Sequence, residues 1–141
     1  MGNWFYWALC SAVLAAMTAI FTKIGLKDVD SDYAALIPTF VIATLLAVYV
    51  HFSGKWINPL TLRSGTLLSL TLSGVATGAS WICYFRALKA SDAAKVASVD
   101  KLSVVLVALF AFIFLSERPS TREWLAISLI GAGVFMLGWK R

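Results

Sequence analysis

Leu102-Ser103-Val104-Val105-Leu106-Val107-Ala108-Leu109-Phe110-Ala111-Phe112-Ile113-Phe114-Leu115-Ser116 is the stretch whose reading decides the fold. It carries no charge over 15 residues, with Asp100-Lys101 before it and Glu117-Arg118 after it. As an α-helix it would be about 22 Å long at 1.5 Å per residue, which is short of a hydrocarbon core of about 30 Å. Either it crosses where the bilayer is thin, or the helix extends back through Lys101 and Asp100 to about Ala93. We adopt the second reading, a helix over 93–116 that places both charges within the depth of the membrane.

The rest of the chain supports a lipid environment. It has 13% charged and 60% hydrophobic residues and a mean hydropathy of +0.84, where a soluble domain carries about a quarter charged residues. At roughly 20 residues per span, 141 residues hold at most five spans and no extramembrane domain. The first uncharged stretch runs from Met1 to Thr22 and closes at Lys23, with Trp4, Phe5, Tyr6 and Trp7 suited to the headgroup layer. It lacks a basic leader and is followed by further apolar segments, so it reads as a retained helix over 3–22 rather than a signal peptide. After Asp28, Asp30 and Asp32 a second helix is expected over 33–52, with Pro38 in its early turns. Trp56, Asn58 and Pro59 mark a turn before a third helix over 64–89. Pro119 and Ser120 separate the fourth helix from a fifth over 121–139, anchored by Trp124 and Trp139. The expected fold is an all-α membrane protein, a five-transmembrane-helix bundle in a single domain over 1–141.

Loops this short make successive helices antiparallel neighbours, and five spans put the termini on opposite sides. On the N-terminal side stand Lys55, Arg63, Arg118 and Arg122; on the other stand Lys23, Lys27, Arg86, Lys89, Lys95, Lys101, Lys140 and Arg141. Setting Arg86 and Lys101 aside as embedded leaves four cations against six, a bias that favours a cytoplasmic C-terminus only weakly and is small enough to permit both orientations to occur. The basic residues never form a run, so the net charge of +5 reflects membrane flanking and not a nucleic-acid partner. Cys10 and Cys83 both lie in apolar stretches and read as small core residues.

Small residues mark where helices approach closely in lipid: Ser11, Ala15 and Ala19 in the first helix, Gly74 and Gly78 in the third, and Gly131, Gly133 and Gly138 in the last. Packing within the bundle and a seam between two copies both use such sites, with the first the commoner use.

Ionisable groups within spans are functional candidates by default. Arg86, Lys89, Asp92, Lys95, Asp100 and Lys101 cluster around the third connection, with Trp81, Tyr84 and Phe85 one to two turns deeper. They read as a cationic vestibule rimmed by aromatic side chains, suited to an anionic or amphipathic small molecule. Snorkelling to the headgroups is the ordinary reading of Arg86, Lys89, Lys95 and Lys23. Asp100 is too short to snorkel and must pair, most simply with Arg86 or Lys101, or face a hydrated cavity where it can couple a proton. His51 reads as an interfacial ring. Glu117 and Glu123 read as capping or structural residues. One histidine, no paired catalytic carboxylates, no metal-ligand set and no phosphate loop argue against an enzyme, a metal or a cofactor.

Tyr84-Phe85-Arg86-Ala87-Leu88-Lys89, the small residues opening the fourth helix, and Phe114-Leu115-Ser116-Glu117-Arg118-Pro119-Ser120 before a glycine-rich last helix resemble the EamA domain of the drug/metabolite transporter superfamily. Thr22-Lys23-Ile24-Gly25 is similar to that family's lysine near the end of its first helix, and Val99-Asp100-Lys101-Leu102-Ser103 most resembles its small bacterial and archaeal group. The resemblance covers nearly the whole chain. Family members commonly join two such domains as an inverted repeat around a substrate cavity; the resemblance therefore implies a homodimer, antiparallel if a second copy replaces the missing half. It implies a secondary transporter or exporter of a small organic metabolite in a prokaryotic inner membrane. Arg86, Asp100 and Lys101 would then hold substrate charge or a coupling proton, Trp81 and Tyr84 would stack on the substrate, and Lys23 would line the cavity. The competing expectation is a non-transporting accessory subunit, for example of a lipid-carrier flippase.

Overall fold

A computed structural model of the chain describes residues 3–139, apart from the side chain of Leu60. The Met1 end of the first apolar stretch and the cations Lys140 and Arg141 lie outside the described residues. The described residues contain helices and turns and no strand: α1 (Asn3–Gly25), α2 (Ser31–Phe52), a 3-10 turn (Pro59–Thr61), α3 (Ser64–Ala90), α4 (Ala93–Asp100), α5 (Leu102–Phe114) and α6 (Thr121–Gly138). They form two compact units, Met1–Ala90 and Ser91–Arg141.

By length and composition, four helices among the described residues can cross a membrane: Asn3–Gly25, Ser31–Phe52, Ser64–Ala90 and the run Ala93–Phe114. At 1.5 Å per residue their 22 to 27 residues reach about 33 to 40 Å. The fourth helix does run back to Ala93, as its short apolar core required, but it is interrupted at Lys101. There the Lys101 N–H donates to the Ser98 carbonyl at 3.1 Å and the Val104 N–H to the Lys101 carbonyl at 3.0 Å, tight three-residue bonds in place of the four-residue ladder. The expected fifth span is the exception. α6 has 18 residues, and its first turn holds Thr121, Arg122 and Glu123, which leaves only Trp124 to Gly138 apolar.

In the first unit α3 packs against both α1 and α2. Ala19, Leu26, Ala35, Phe85 and Leu88 are buried, so of the stripe of small residues on α1 only Ala19 is covered within the chain, while Ser11 and Ala15 are exposed. Large apolar side chains such as Trp7, Phe52 and Phe114 are more than 70% exposed. Lipid, not a water-excluding core, is what such surfaces match. In the second unit α6 packs against α4 and α5. A methyl group added at Gly131 would meet Val105 Cγ2 at 3.4 Å, an ordinary contact.

The helix ends have identifiable causes. Asp30 caps α2, accepting from the Asp32 N–H at 2.9 Å and the Tyr33 N–H at 3.3 Å, which starts the helix two residues before the expected Tyr33. At its other end Gly54 takes φ +63°, while the Lys55 N–H reaches the Val50 carbonyl and the Gly54 N–H the His51 carbonyl. Ser120 and Glu123 form a reciprocal capping box on α6, so Glu123 has the capping role read from its position. α5 stops at Phe114, short of the expected Ser116, because Ser116 turns left-handed at φ 56° and directs the Glu117 N–H to the Ala111 carbonyl.

These two left-handed residues make opposite predictions. Gly54→Ala should lower stability by about 1 kcal/mol and Ser116→Gly should raise it by up to about 1 kcal/mol. Thermal unfolding of the purified protein checks both; shifts of the same sign would contradict the backbone assignments.

Candidate functional site

Asp32, on the first turn of α2, meets Arg86, near the end of α3. Arg86 Nε donates to Asp32 Oδ1 at 2.8 Å and Nη2 to Oδ2 at 2.6 Å, a two-bond fork that fixes both side chains. Arg86 stands four residues before the end of α3, about 6 Å along the axis, so the pair lies toward the membrane boundary and not at mid-depth. Two more links join the same helix end. Lys23 Nζ of α1 donates to the Leu88 carbonyl at 2.5 Å, and Lys89 Nζ donates to the Val29 carbonyl in the connection between α1 and α2. Lys23, Arg86 and Lys89 are thus engaged by the chain itself.

From Asp32 a groove of about 650 Å³ runs along the interface of α2 and α3. Its α2 wall includes Ala35, Leu36, Thr39 and Ile42; its α3 wall includes Leu70, Ser73, Gly74, Thr77, Gly78 and Trp81. The Thr39 hydroxyl donates to the Ala35 carbonyl and the Thr77 hydroxyl to the Ser73 carbonyl, both at 2.8 Å. Their protons are therefore spent within their own helices, and what each hydroxyl still offers is acceptor capacity. A Cβ added at Gly74 or Gly78 would meet nothing within 4 Å, so the glycine pair opens onto space and is not a close helix contact inside the chain. Trp81 stacks on Phe85 one turn on, with ring centroids 5.9 Å apart. Tyr84 is half-buried on the same helix.

The second unit holds the other two candidates. Asp100 ends α4 and Lys101 occupies the interruption before α5, with Asp100 Oδ2 and Lys101 Nζ 3.8 Å apart. That is an ion-pair distance but too long for a hydrogen bond. Of the two partners expected for Asp100, Lys101 stands beside it, while Arg86 is committed to Asp32. Lys95 pairs with Asp92 one helical turn away at 2.8 Å. Among the described residues no group of histidine, cysteine and carboxylate side chains is arranged to hold a metal.

Asp32 is the residue that sequence reasoning missed. Placed in an acidic connection, it had no reason to face Arg86. The signal was Asp30, an N-cap type two residues earlier, which starts the helix soon enough to put Asp32 on it.

Residues 2–139 match the model of the EamA-like transporter family. A Sinorhizobium protein described as an uncharacterized transporter in the cobO 3′ region is 49% identical over 135 residues, covering 96% of each chain. No solved structure matches.

The fork should act as a unit. Asp32→Asn and Arg86→Gln should each lower the melting temperature of the purified protein, and the double variant should lose less than their sum. Strict additivity would show that the two side chains do not depend on each other.

Proposed function

The chain belongs to the EamA-like transporter family, and on that premise we propose that it is a secondary transporter or exporter of a small organic metabolite, working as a homodimer. The groove between α2 and α3 carries this reading. It is large enough for a small metabolite, apolar along most of its walls, and bounded by an aromatic ring and an ion pair. Its free polar groups are mainly acceptors, so the reading favours an amphipathic molecule with a hydrogen-bond donor. Trp81 would contact its apolar part and the Asp32–Arg86 pair its polar end, while Tyr84, which is not among the groove's lining, would not touch it there. In the second unit Asp100, held only loosely by Lys101, is the proposed coupling group.

The open Gly74–Gly78 face is what favours a second copy. Small residues in membrane helices serve close approach, and within this chain nothing approaches them. The Sinorhizobium relative matches this chain over 96% of its own length. We further propose that α6 is a fifth span: Trp124 to Gly138 is uncharged but no longer than Leu102 to Ser116, so the span would take in Thr121 to Glu123 at one end and Trp139 at the other. With five spans and a small charge bias, an antiparallel pair in a bacterial inner membrane is the arrangement proposed.

Filling the groove tests the substrate site. Gly74→Leu combined with Gly78→Leu, both facing space left open within one chain, should abolish the change in exported metabolites that the wild type causes in cells, and dimer formation measured on the same variant tells a filled groove from a parted pair. Full export by this variant would place the substrate elsewhere. Asp100→Asn should abolish gradient-driven transport in proteoliposomes while leaving dimer formation intact; undiminished uptake driven by a pH gradient would rule out the coupling role. Paired reporters at the C-terminus should give signal from both sides of the membrane, and a signal from one side only would exclude the antiparallel pair.

A further inference from the structure

Lys23, Lys27 and Lys89 line one small concavity of about 290 Å³, together with Ile24 and Leu26. Two of these lysines lie near the end of α1 and in the connection after it; the third comes from the last turn of α3, more than 60 residues later. The concavity is separate from the groove, sharing no lining residue with it.

Two of the three ammonium groups are already positioned. Lys23 Nζ donates to the Leu88 carbonyl and Lys89 Nζ to the Val29 carbonyl. A carbonyl takes one of the three N–H donors of an ammonium group and removes none of its charge. The side chains have also lost their rotamer freedom before any ligand arrives, so a ligand need not order them. Asp30 caps α2 and Asp32 holds Arg86, which leaves Asp28 beside Lys27. Among the described residues neither Lys27 nor Lys89 forms a salt bridge.

The C-termini of α1 and α3 account for part of the arrangement, since lysines near helix ends satisfy terminal carbonyls. Each helix end carries roughly half a negative charge, so against two ends and Asp28 the three lysines leave an excess of about one positive charge. Lys27 has no carbonyl to cap. The remaining wall, Ile24 and the buried Leu26, is apolar. Positive charge concentrated against an apolar wall at the end of membrane helices suits one kind of group: a phosphate carried on, or arriving beside, a carbon skeleton.

We infer that Lys23, Lys27 and Lys89 form a binding site for a phosphate-bearing anion at this end of the first unit. The phosphate belongs either to a lipid headgroup or to a soluble compound, and the test separates the two. The full-length protein is placed in nanodiscs of phosphatidylcholine with a minor share of phosphatidylglycerol, and the lipids retained after extraction are counted by native mass spectrometry. In pure phosphatidylcholine discs, inorganic phosphate is titrated and protection of Lys27 from reductive methylation is read.

A headgroup site predicts phosphatidylglycerol enriched over its share in the discs, about fivefold for each lysine that contributes. The preference should fall by about that factor in Lys27→Gln and return in Lys27→Arg. A soluble-phosphate site predicts saturable protection of Lys27 by inorganic phosphate without lipid enrichment. Lys27→Gln breaks no hydrogen bond found in the structure, so its melting temperature in pure phosphatidylcholine discs should equal that of the wild type. No enrichment and no protection, or an enrichment that Lys27→Gln leaves unchanged, overturns the inference and leaves these lysines as helix caps.

Discussion

The fork between Arg86 and Asp32 is the interaction on which the first unit depends. Inside a membrane, helices gain little from burying apolar surface against one another, because lipid tails are as apolar as leucine. What can hold α3 at a defined height against α2 is therefore polar, directional and placed where the helices end. The two short bonds of the fork meet that requirement, and the Lys23 and Lys89 contacts extend it to α1 and to the connection between α1 and α2. With one end tied in this way, the rest of the α2–α3 interface need not close. Small residues on α3 leave a groove there without costing the unit its geometry.

That division between a tied end and an open middle fits a transporter. Alternating access requires a site that is formed yet not filled by the protein's own side chains, next to groups that can change partners. The groove supplies the first. In the second unit, the interruption at Lys101 sets an acidic residue at the point where the helical ladder changes pitch.

Much of the fold was legible in the sequence because its cause is local. The uncharged stretch from Leu102 to Ser116 is short for a span, which left a thin bilayer or an extension to Ala93, and the helical run from Ala93 matches the second. Ser120 and Glu123 stand at capping-box spacing, and Glu123 could be assigned a capping role. The candidate site was less legible, since its partners are set by tertiary placement. Arg86 could be recognised as a charge needing a partner, but choosing Asp32 over Asp100 required knowing where α2 begins. Gly74 and Gly78 announced close packing, yet spacing alone could not say that the space beside them is open within the chain. The expected fifth span shows a further limit: α6 is long enough, but the charges that cap it also shorten its apolar length.

The central claim is that the α2–α3 face is covered by a second copy of the chain. Spin labels at Thr77, inside the groove, and at Val75, exposed on the same helix but outside the groove lining, test it most directly. Each label is introduced as a single cysteine, with Cys10 and Cys83 replaced by serine, in protein reconstituted into lipid. The account predicts a dipolar distance between copies at both positions, shorter for Thr77 than for Val75. No dipolar signal, or a Thr77 distance longer than that of Val75, would contradict it.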